Sequence, residues 1–173
     1  NKKGIDDLLD GSTVLHRSLL LAYRDDDKCK KTGLRLLKKL LNRGVNVNQV
    51  DIHHRTPIYF AVVLRTVEAV RTLITVKNID LSIIGSEPMK YTPLQEAASN
   101  AALGSKEDDN YKKNFEIMNI LLDAGADPTQ KGGQGNTPIE AVNGTINCGS
   151  NRHKVITRLE KAVKEWENKQ DKH

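Results

Sequence analysis

Apolar residues recur at helical spacing in several stretches of the chain, and polar turn residues separate these stretches. Four stretches begin directly after a threonine, and in three of them proline follows that threonine. A threonine N-cap and a proline at the first helical position both favour a helix start. The pattern therefore predicts helices over about 14–23, 34–43, 57–64, 67–76, 93–102, 111–124 and 138–143, and a last helix that carries apolar residues from Val155 to Trp166.

The stretch from Ile120 to Val142 shows the complete unit. Leu121 and Leu122 close an apolar helical face, and Gly125 can adopt the left-handed conformation that ends a helix. A Gly-rich turn follows, and Thr137-Pro138 then starts the next helix. Because this order recurs along the chain, the sequence predicts a stack of helix-turn-helix repeats.

The recurring elements are a Thr-Pro-Leu-His pattern at the helix starts and a Leu-Leu-x-x-Gly-Ala-Asp pattern at the helix ends. Together they resemble the ankyrin repeat family. The resemblance implies an all-α solenoid of four stacked helix-turn-helix units with short turn hairpins. It places a single domain over residues 1–173, with repeats at about 5–46, 47–80, 81–127 and 128–167, and a polar tail over 168–173 that we expect to be disordered. The helix-start elements are Thr13-Val14-Leu15-His16, Thr56-Pro57-Ile58-Tyr59, Thr92-Pro93-Leu94-Gln95 and Thr137-Pro138-Ile139-Glu140.

Two residues stand where the family usually has glycine. His54 occupies the glycine place in the second turn, and Asn78 ends the second helix of repeat two. Both residue types adopt the left-handed conformation more easily than a β-branched residue does. We therefore expect positive φ at both positions.

The spacing of the repeats is irregular. The intervals between the capping threonines are 43, 36 and 45 residues, against the family's period of 33. Most of the surplus lies between the two helices of repeats one and three, as insertions at Arg24–Gly33 and Gly104–Asn110, and Gly144–Ser150 falls at the same relative place in repeat four. Insertions at one relative place would project from one edge of the stack and form an additional binding surface. Alternatively, they only lengthen helices and loops.

The composition agrees with a soluble intracellular domain. No apolar run approaches the length of a membrane span, and the N-terminus lacks the apolar core of a signal peptide. Two cysteines are too few for a disulfide framework, which favours a reducing compartment. The chain begins at Asn1, so we expect it to be part of a longer protein, in which an upstream segment covers Leu8 and Leu9; the alternative is a frayed end.

The net charge of +5 is unevenly distributed. On a helix, the basic cluster of the first repeat would form the solvated outer face. An anionic partner is the alternative, but nucleic-acid binding also requires stacking aromatic residues, and only 4% of the chain is aromatic. Nucleic acid is therefore not an expected partner. The basic cluster consists of Lys28, Lys30, Lys31, Arg35, Lys38, Lys39 and Arg43.

The chain carries no recognisable catalytic or metal-binding motif. Cys29 and Cys148 fall in the first and last repeats, too far apart for a disulfide or a shared metal. His53 and His54 are adjacent on a turn and point in different directions, which disfavours a metal site. The resemblance assigns His16 a hydrogen bond to the neighbouring turn backbone, and Tyr59, Gln95 and Glu140 occupy the same place. We expect no catalytic residue, cofactor or metal ligand.

These observations predict a non-enzymatic, monomeric module that binds a partner protein through the groove of its first helices and the tips of its turns. One alternative is a targeting domain of a larger enzyme, and a weaker one is binding of anionic surfaces by the basic helix backs. The divergent repeats are similar in style to ankyrin modules of effectors secreted by intracellular bacteria. We expect a cytoplasmic location, or the host cytoplasm or nucleus for an effector. The predicted partner-binding residues are Arg17, Leu20, Leu21, Ile52, His53, Arg55, Phe60, Val63, Leu64, Met89, Lys90, Glu96, Ser99 and Asn100.

Overall fold

The computed structural model describes residues 13–85, 89–104, 108–145 and 150–171. Within these ranges the chain forms eight α-helices and no β-strand, which confirms the all-α prediction. Leu8, Leu9 and Cys148, for which the sequence made predictions, lie outside the described residues. The helices are α1 (Val14–Tyr23), α2 (Asp27–Asn42), α3 (Pro57–Val63), α4 (Val67–Leu73), α5 (Pro93–Leu103), α6 (Asp109–Asp123), α7 (Pro138–Gly144) and α8 (Arg152–Gln170).

The helices form four helix-turn-helix pairs, and these pairs stack on one another. Each first helix packs on its partner, and α1, α3, α5 and α7 contact one another in chain order. The second helices α2, α4 and α6 form the other row. The apolar core lies between the two rows, as the burial of one large side chain from each of several helices shows. Fully buried examples are Leu19, Leu37, Ile58, Leu94, Leu121 and Leu159.

Threonine caps set the starts of the first helices. The Thr56 hydroxyl accepts a hydrogen bond from Tyr59 N at 3.3 Å, and proline follows as the first helical residue. At Thr92 and Thr137 the residue three places on also bonds back to the threonine amide, which completes a capping box. The four first helices therefore begin at the predicted residues.

Helix α2 corrects the prediction of an inserted loop at Arg24–Gly33. The side chain of Asp26 accepts a hydrogen bond from Cys29 N at 2.7 Å and starts the helix at Asp27. Gly33 lies inside this helix, and the position requires glycine because a Cβ there would meet Ala22 N at 2.3 Å. The glycine thus allows α2 to approach α1 closely, and most of the surplus sequence forms two additional helical turns. Of the other two predicted insertions, residues 105–107 and 146–149 lie outside the described residues.

The C-terminal helix is also longer than predicted. Helix α8 continues through residues 168–170, so that part of the tail is helical rather than disordered. The amide of Asp171 still donates to Glu167 O at 3.1 Å. Lys169 in the last turn has a charge that interacts favourably with the negative end of the helix dipole.

Three turns place a left-handed residue two positions before the capping threonine. His54 has a φ of 55°, as predicted, and Lys90 and Gly135 occupy the same place with φ of 49° and 80°. The corresponding prediction for Asn78 is wrong, because α4 ends at Leu73 and the chain then bends through successive turns, with Ile79 N donating to Val76 O.

Repeat two, formed by α3 and α4, has shorter helices than repeats one and three. Its helices have 7 residues each, whereas repeat one has helices of 10 and 16 residues and repeat three has helices of 11 and 15. When the second helices are aligned on Leu40, Leu73 and Leu121, α2 and α6 begin about two turns, or roughly 10 Å, before α4. The stack therefore has a depression at the start of α4, and the first turns of α2 and α6 form the walls on either side of it.

Candidate binding surfaces

Short hydrogen-bonded turns precede α3, α5 and α7, and their tips form what we call the turn surface (residues 50–55, 89–91 and 131–136). Each turn is closed by a backbone hydrogen bond of the same kind, so the tips have corresponding places along the stack. The bonds run from Asp51 N to Arg55 O at 3.0 Å, from Gly85 N to Tyr91 O at 2.7 Å and from Gly132 N to Asn136 O at 3.0 Å.

The buried side chain of Asp51 organises the turn before α3. Its Oδ1 accepts hydrogen bonds from His53 N and Arg55 N, both at 2.9 Å, and its Oδ2 accepts one from Arg55 Nε at 2.9 Å. Burial alone would raise the pKa of Asp51, but the bonds from Arg55 and His53 outweigh it and leave this pKa below its ordinary value. The turn is therefore held in one conformation with Ile52 and His53 exposed.

His16 joins repeat one to this turn. Its Nε2 lies 2.8 Å from Arg55 O, and its Nδ1 lies 2.8 Å from the hydroxyl of Thr13. Because a carbonyl oxygen can only accept, Nε2 carries the proton and Nδ1 accepts from the hydroxyl. Burial lowers the pKa of His16 although the charge of Asp51 opposes this, which favours the neutral ring. The predicted structural role of His16 is confirmed.

Of the three equivalent residues in the other repeats, Gln95 makes the same kind of bond as His16, whereas Tyr59 and Glu140 do not. Gln95 Nε2 donates to Asn136 O and so joins repeat three to the following turn, as His16 does for repeat one. Tyr59 instead packs its ring against Gly85 and donates its hydroxyl to Glu96 Oε2 at 3.0 Å. Burial and the carboxylate of Glu96 raise the pKa of Tyr59 well above its ordinary value. Glu140 serves the capping box of its own helix.

Phe60 lies in the core, which corrects the prediction that its side chain faces an open groove. Only 6% of the residue is exposed. Its ring lies 5.3 Å from that of His16, and the guanidinium of Arg55 lies over it at 4.6 Å from the ring centroid. The ring of His16 and the folded-back Arg55 cover the position that the repeat pattern alone leaves open.

The first-helix surface of repeat three is a closed polar network. Glu96 Oε1 accepts from Asn100 Nδ2 at 2.8 Å, while Oε2 accepts from Tyr59. Ser99 is only 7% exposed, so its predicted place on the open surface is also wrong. Packing of α5 against its neighbours covers a residue small enough to fit between helices.

The remaining predicted binding residues divide by exposure. Three large apolar side chains are well exposed: Ile52 at 62%, Met89 at 46% and Leu20 at 44%. His53 and Lys90 are exposed as well. The half-buried members are Arg17, Leu21, Arg55, Val63, Leu64, Glu96 and Asn100.

A second surface lies at the depression above repeat two, and we call it the edge cleft. Its floor is the α3–α4 connection with Leu64 and Arg65, and its walls are the first turns of α2 and α6. The cavity measures about 470 Å³, a volume comparable with those of small-ligand pockets. Tyr23, 54% exposed, lies at the wall formed by repeat one.

The edge cleft carries many charged side chains, only some of which are paired. Arg71 binds Glu116 and Lys113 binds Asp109, both at 2.7 Å. Among the described residues, its other charged groups form no ion pair with each other or with the rest of the chain. These groups are the cations Arg24, Lys30, Arg65 and Lys112, and the acids Asp25, Asp27 and Glu68.

Arg65 and Tyr23 were not among the binding residues predicted from the sequence. The spacing of the capping threonines indicated the depression, because the shortest interval spans repeat two and the longer intervals span repeats one and three. The spacing alone could have located the depression. It could not reveal that the surplus residues are helical and raise the walls.

The described residues include no group of three or more His, Cys, Asp or Glu side chains that could hold a metal ion. Cys29 is a free thiol on α2, and a hydrogen bond to Asp26 and burial raise its pKa. None of the described helices is both long and apolar enough to cross a membrane.

The repeats of this chain match a known protein family. A family model described as ankyrin repeats in three copies matches residues 27–132. Comparison with curated proteins gives no match. The matched range includes α2 to α6 and the turns on either side of repeat two.

Proposed function

Because this chain belongs to the ankyrin repeat family, whose repeats generally serve as protein-interaction modules, we propose that it binds a partner protein through the turn surface and the adjoining first helices. The proposed function is recognition without catalysis. The family is typically non-catalytic.

The observation that carries this proposal is the exposure of Ile52 and Met89 on the turn surface. They are 62% and 46% exposed, and an exposed large apolar side chain at a fixed position is a natural contact for a partner. In the turn that carries Ile52, the Asp51 carboxylate accepts hydrogen bonds from His53 N and Arg55 N, and His16 donates one to Arg55 O. These bonds already fix the backbone of that turn. Little conformational entropy is then lost on binding, which favours affinity.

The burial of Phe60 changes which residues can anchor the partner. The apolar contact on the first helices comes from Leu20, with half-buried Leu21, Val63 and Leu64 beside it. Phe60 contributes indirectly, because its ring supports Arg55 beneath the turn. We therefore place the anchors at the turn tips and on α1.

The test is a pair of substitutions on opposite sides of the molecule. Ile52→Asp removes an apolar side chain from the turn surface, and Leu36→Asp makes the same change on the outer face of α2, where Leu36 is 37% exposed. A partner captured from lysate and then purified should bind Ile52→Asp at least about tenfold more weakly and Leu36→Asp normally.

Calorimetry with the purified partner measures both affinities, and melting curves check that each variant is folded. Normal binding by Ile52→Asp, or a loss confined to Leu36→Asp, would refute the turn surface as the binding site. Equal losses in both folded variants would also contradict it.

A further inference from the structure

We propose that the edge cleft is a second protein-docking site, separate from the turn surface, and that Arg65 binds a carboxylate of the docked segment there. This inference does not depend on which partner occupies the turn surface. It rests on the shape of the cleft, on the state of Arg65 and on the balance of charge around it.

Arg65 has a left-handed backbone, and its side chain forms no hydrogen bond or ion pair with the other described residues. Its φ of 54° is left-handed, a region that glycine adopts freely and other residues adopt at a cost. Its Nε is buried without a hydrogen-bond acceptor. A buried donor without an acceptor costs free energy, which shows that no described residue satisfies this guanidinium. Its terminal nitrogens have no ion-pair partner among the described residues either, so they would gain from an anion that reaches them in the cleft.

The walls of the cleft determine what can reach Arg65. Because α2 and α6 rise about 10 Å beyond the start of α4, the floor lies in a depression rather than on an open face. A flat surface such as a membrane would contact the walls and leave the floor empty. A protruding peptide segment fits this shape.

The charges favour a single carboxylate over a polyanion. Unpaired Lys30 and Lys112 stand on opposite walls, but unpaired Asp27 and Glu68 lie in the same cleft. The acids would repel a phosphate-rich ligand such as nucleic acid, whereas one carboxylate can pair with the guanidinium in a bidentate manner.

The cleft also offers apolar contact beside the guanidinium. Tyr23 is 54% exposed, and the half-buried Leu64 precedes Arg65 on the floor. Tyrosine and arginine are the residue types that most often dominate binding energy at protein interfaces. The expected segment therefore carries an aspartate or glutamate next to an apolar residue.

The experiment uses a displayed library of short random peptides and the whole chain. The library is first depleted on immobilised Arg65→Gly and then selected on the unmodified protein. We expect the recovered peptides to be enriched in an acidic residue beside an apolar one. Each should bind Arg65→Gly at least about tenfold more weakly, and Arg65→Lys should restore only part of the affinity because it lacks the planar fork.

The variant suits this test because glycine adopts the left-handed backbone without strain. Arg65→Gly should therefore melt at the same temperature as the unmodified protein or higher, which separates lost binding from lost folding. Arg35→Ala, on the exposed face of α2 outside the cleft, is the matched control and should bind the peptides normally. Ile52→Asp should also bind them normally.

Several results would overturn the proposal. These are the recovery of no peptide after depletion, recovered peptides without acidic enrichment, or an equal loss in Arg35→Ala. A loss in Ile52→Asp as large as in Arg65→Gly would show that the two surfaces are one site. Arg65-dependent binding of inorganic phosphate without peptide binding would assign the cleft to phosphate instead.

Discussion

Replacement of Gly33 by alanine tests the close approach of α1 and α2. In an ordinary helix interior this change stabilises by about 1 kcal/mol. Here the new Cβ would lie 2.3 Å from Ala22 N and 2.7 Å from Ser18 O. Both are backbone atoms, so no side-chain rotation can relieve the contact.

The cost follows from the movement that the contact requires. To restore an ordinary separation, α2 must move away from α1 by about 1 Å, and a gap of that size loses a quarter to a half of the dispersion energy across it. Leu19 and Leu37, both fully buried, lie in this region. A buried leucine makes many such contacts, so the loss is a few kcal/mol. After the gain in helix propensity, we expect a net loss of about 2–3 kcal/mol.

Urea unfolding followed by circular dichroism measures this difference. Gly144→Ala in α7 is the control, because nothing lies within 4 Å of its added Cβ, and its stability should not fall. A Gly33→Ala protein as stable as the unmodified one would refute the reasoning that Gly33 is needed for helix approach.

Three further predictions concern the core and the turns. Phe60→Ala should lower the free energy of unfolding by about 3–5 kcal/mol in thermal melts, and a loss below about 1 kcal/mol would contradict its burial. Gln95→Ala leaves Asn136 O without its donor and should cost about 1–3 kcal/mol by urea unfolding. The lowered pKa of His16 means that the unfolded chain binds protons more readily, so stability should fall as pH drops below about 6.5 and level off below the folded-state pKa. The lowered pKa of Asp51 adds a second loss as pH falls from about 3.8 through its folded-state pKa. His16→Gln should remove the first step and retain the second in urea midpoints measured across pH.

The sequence predicted the features that depend on local chemistry. Threonine followed by proline predicts a helix start wherever it occurs, and the structure has those starts. The positive φ of His54 was predictable because its place in the turn requires a left-handed residue. The bond from His16 to Arg55 O followed from the family resemblance.

The errors concern features that depend on a neighbouring repeat. Gly33 has the same sequence signal in a loop as at a close helix contact, and only the position of α1 distinguishes the two. Phe60 falls at a position that is open on an isolated repeat, and it is buried by His16 and Arg55 from outside its own helix. The strain at Arg65 was equally hidden, because an arginine gives no sequence signal for a left-handed turn.

The short helices of repeat two affect how the chain responds to force. Seven residues are too few for an isolated helix to persist in water, so α3 and α4 are helical only while repeats one and three hold them. A repeat without stability of its own cannot remain folded at the end of a partly unfolded stack, so it does not give rise to an unfolding intermediate. When the molecule is pulled from the end nearest α1, we expect repeats one and two to be lost in a single extension step, with repeats three and four remaining as the intermediate.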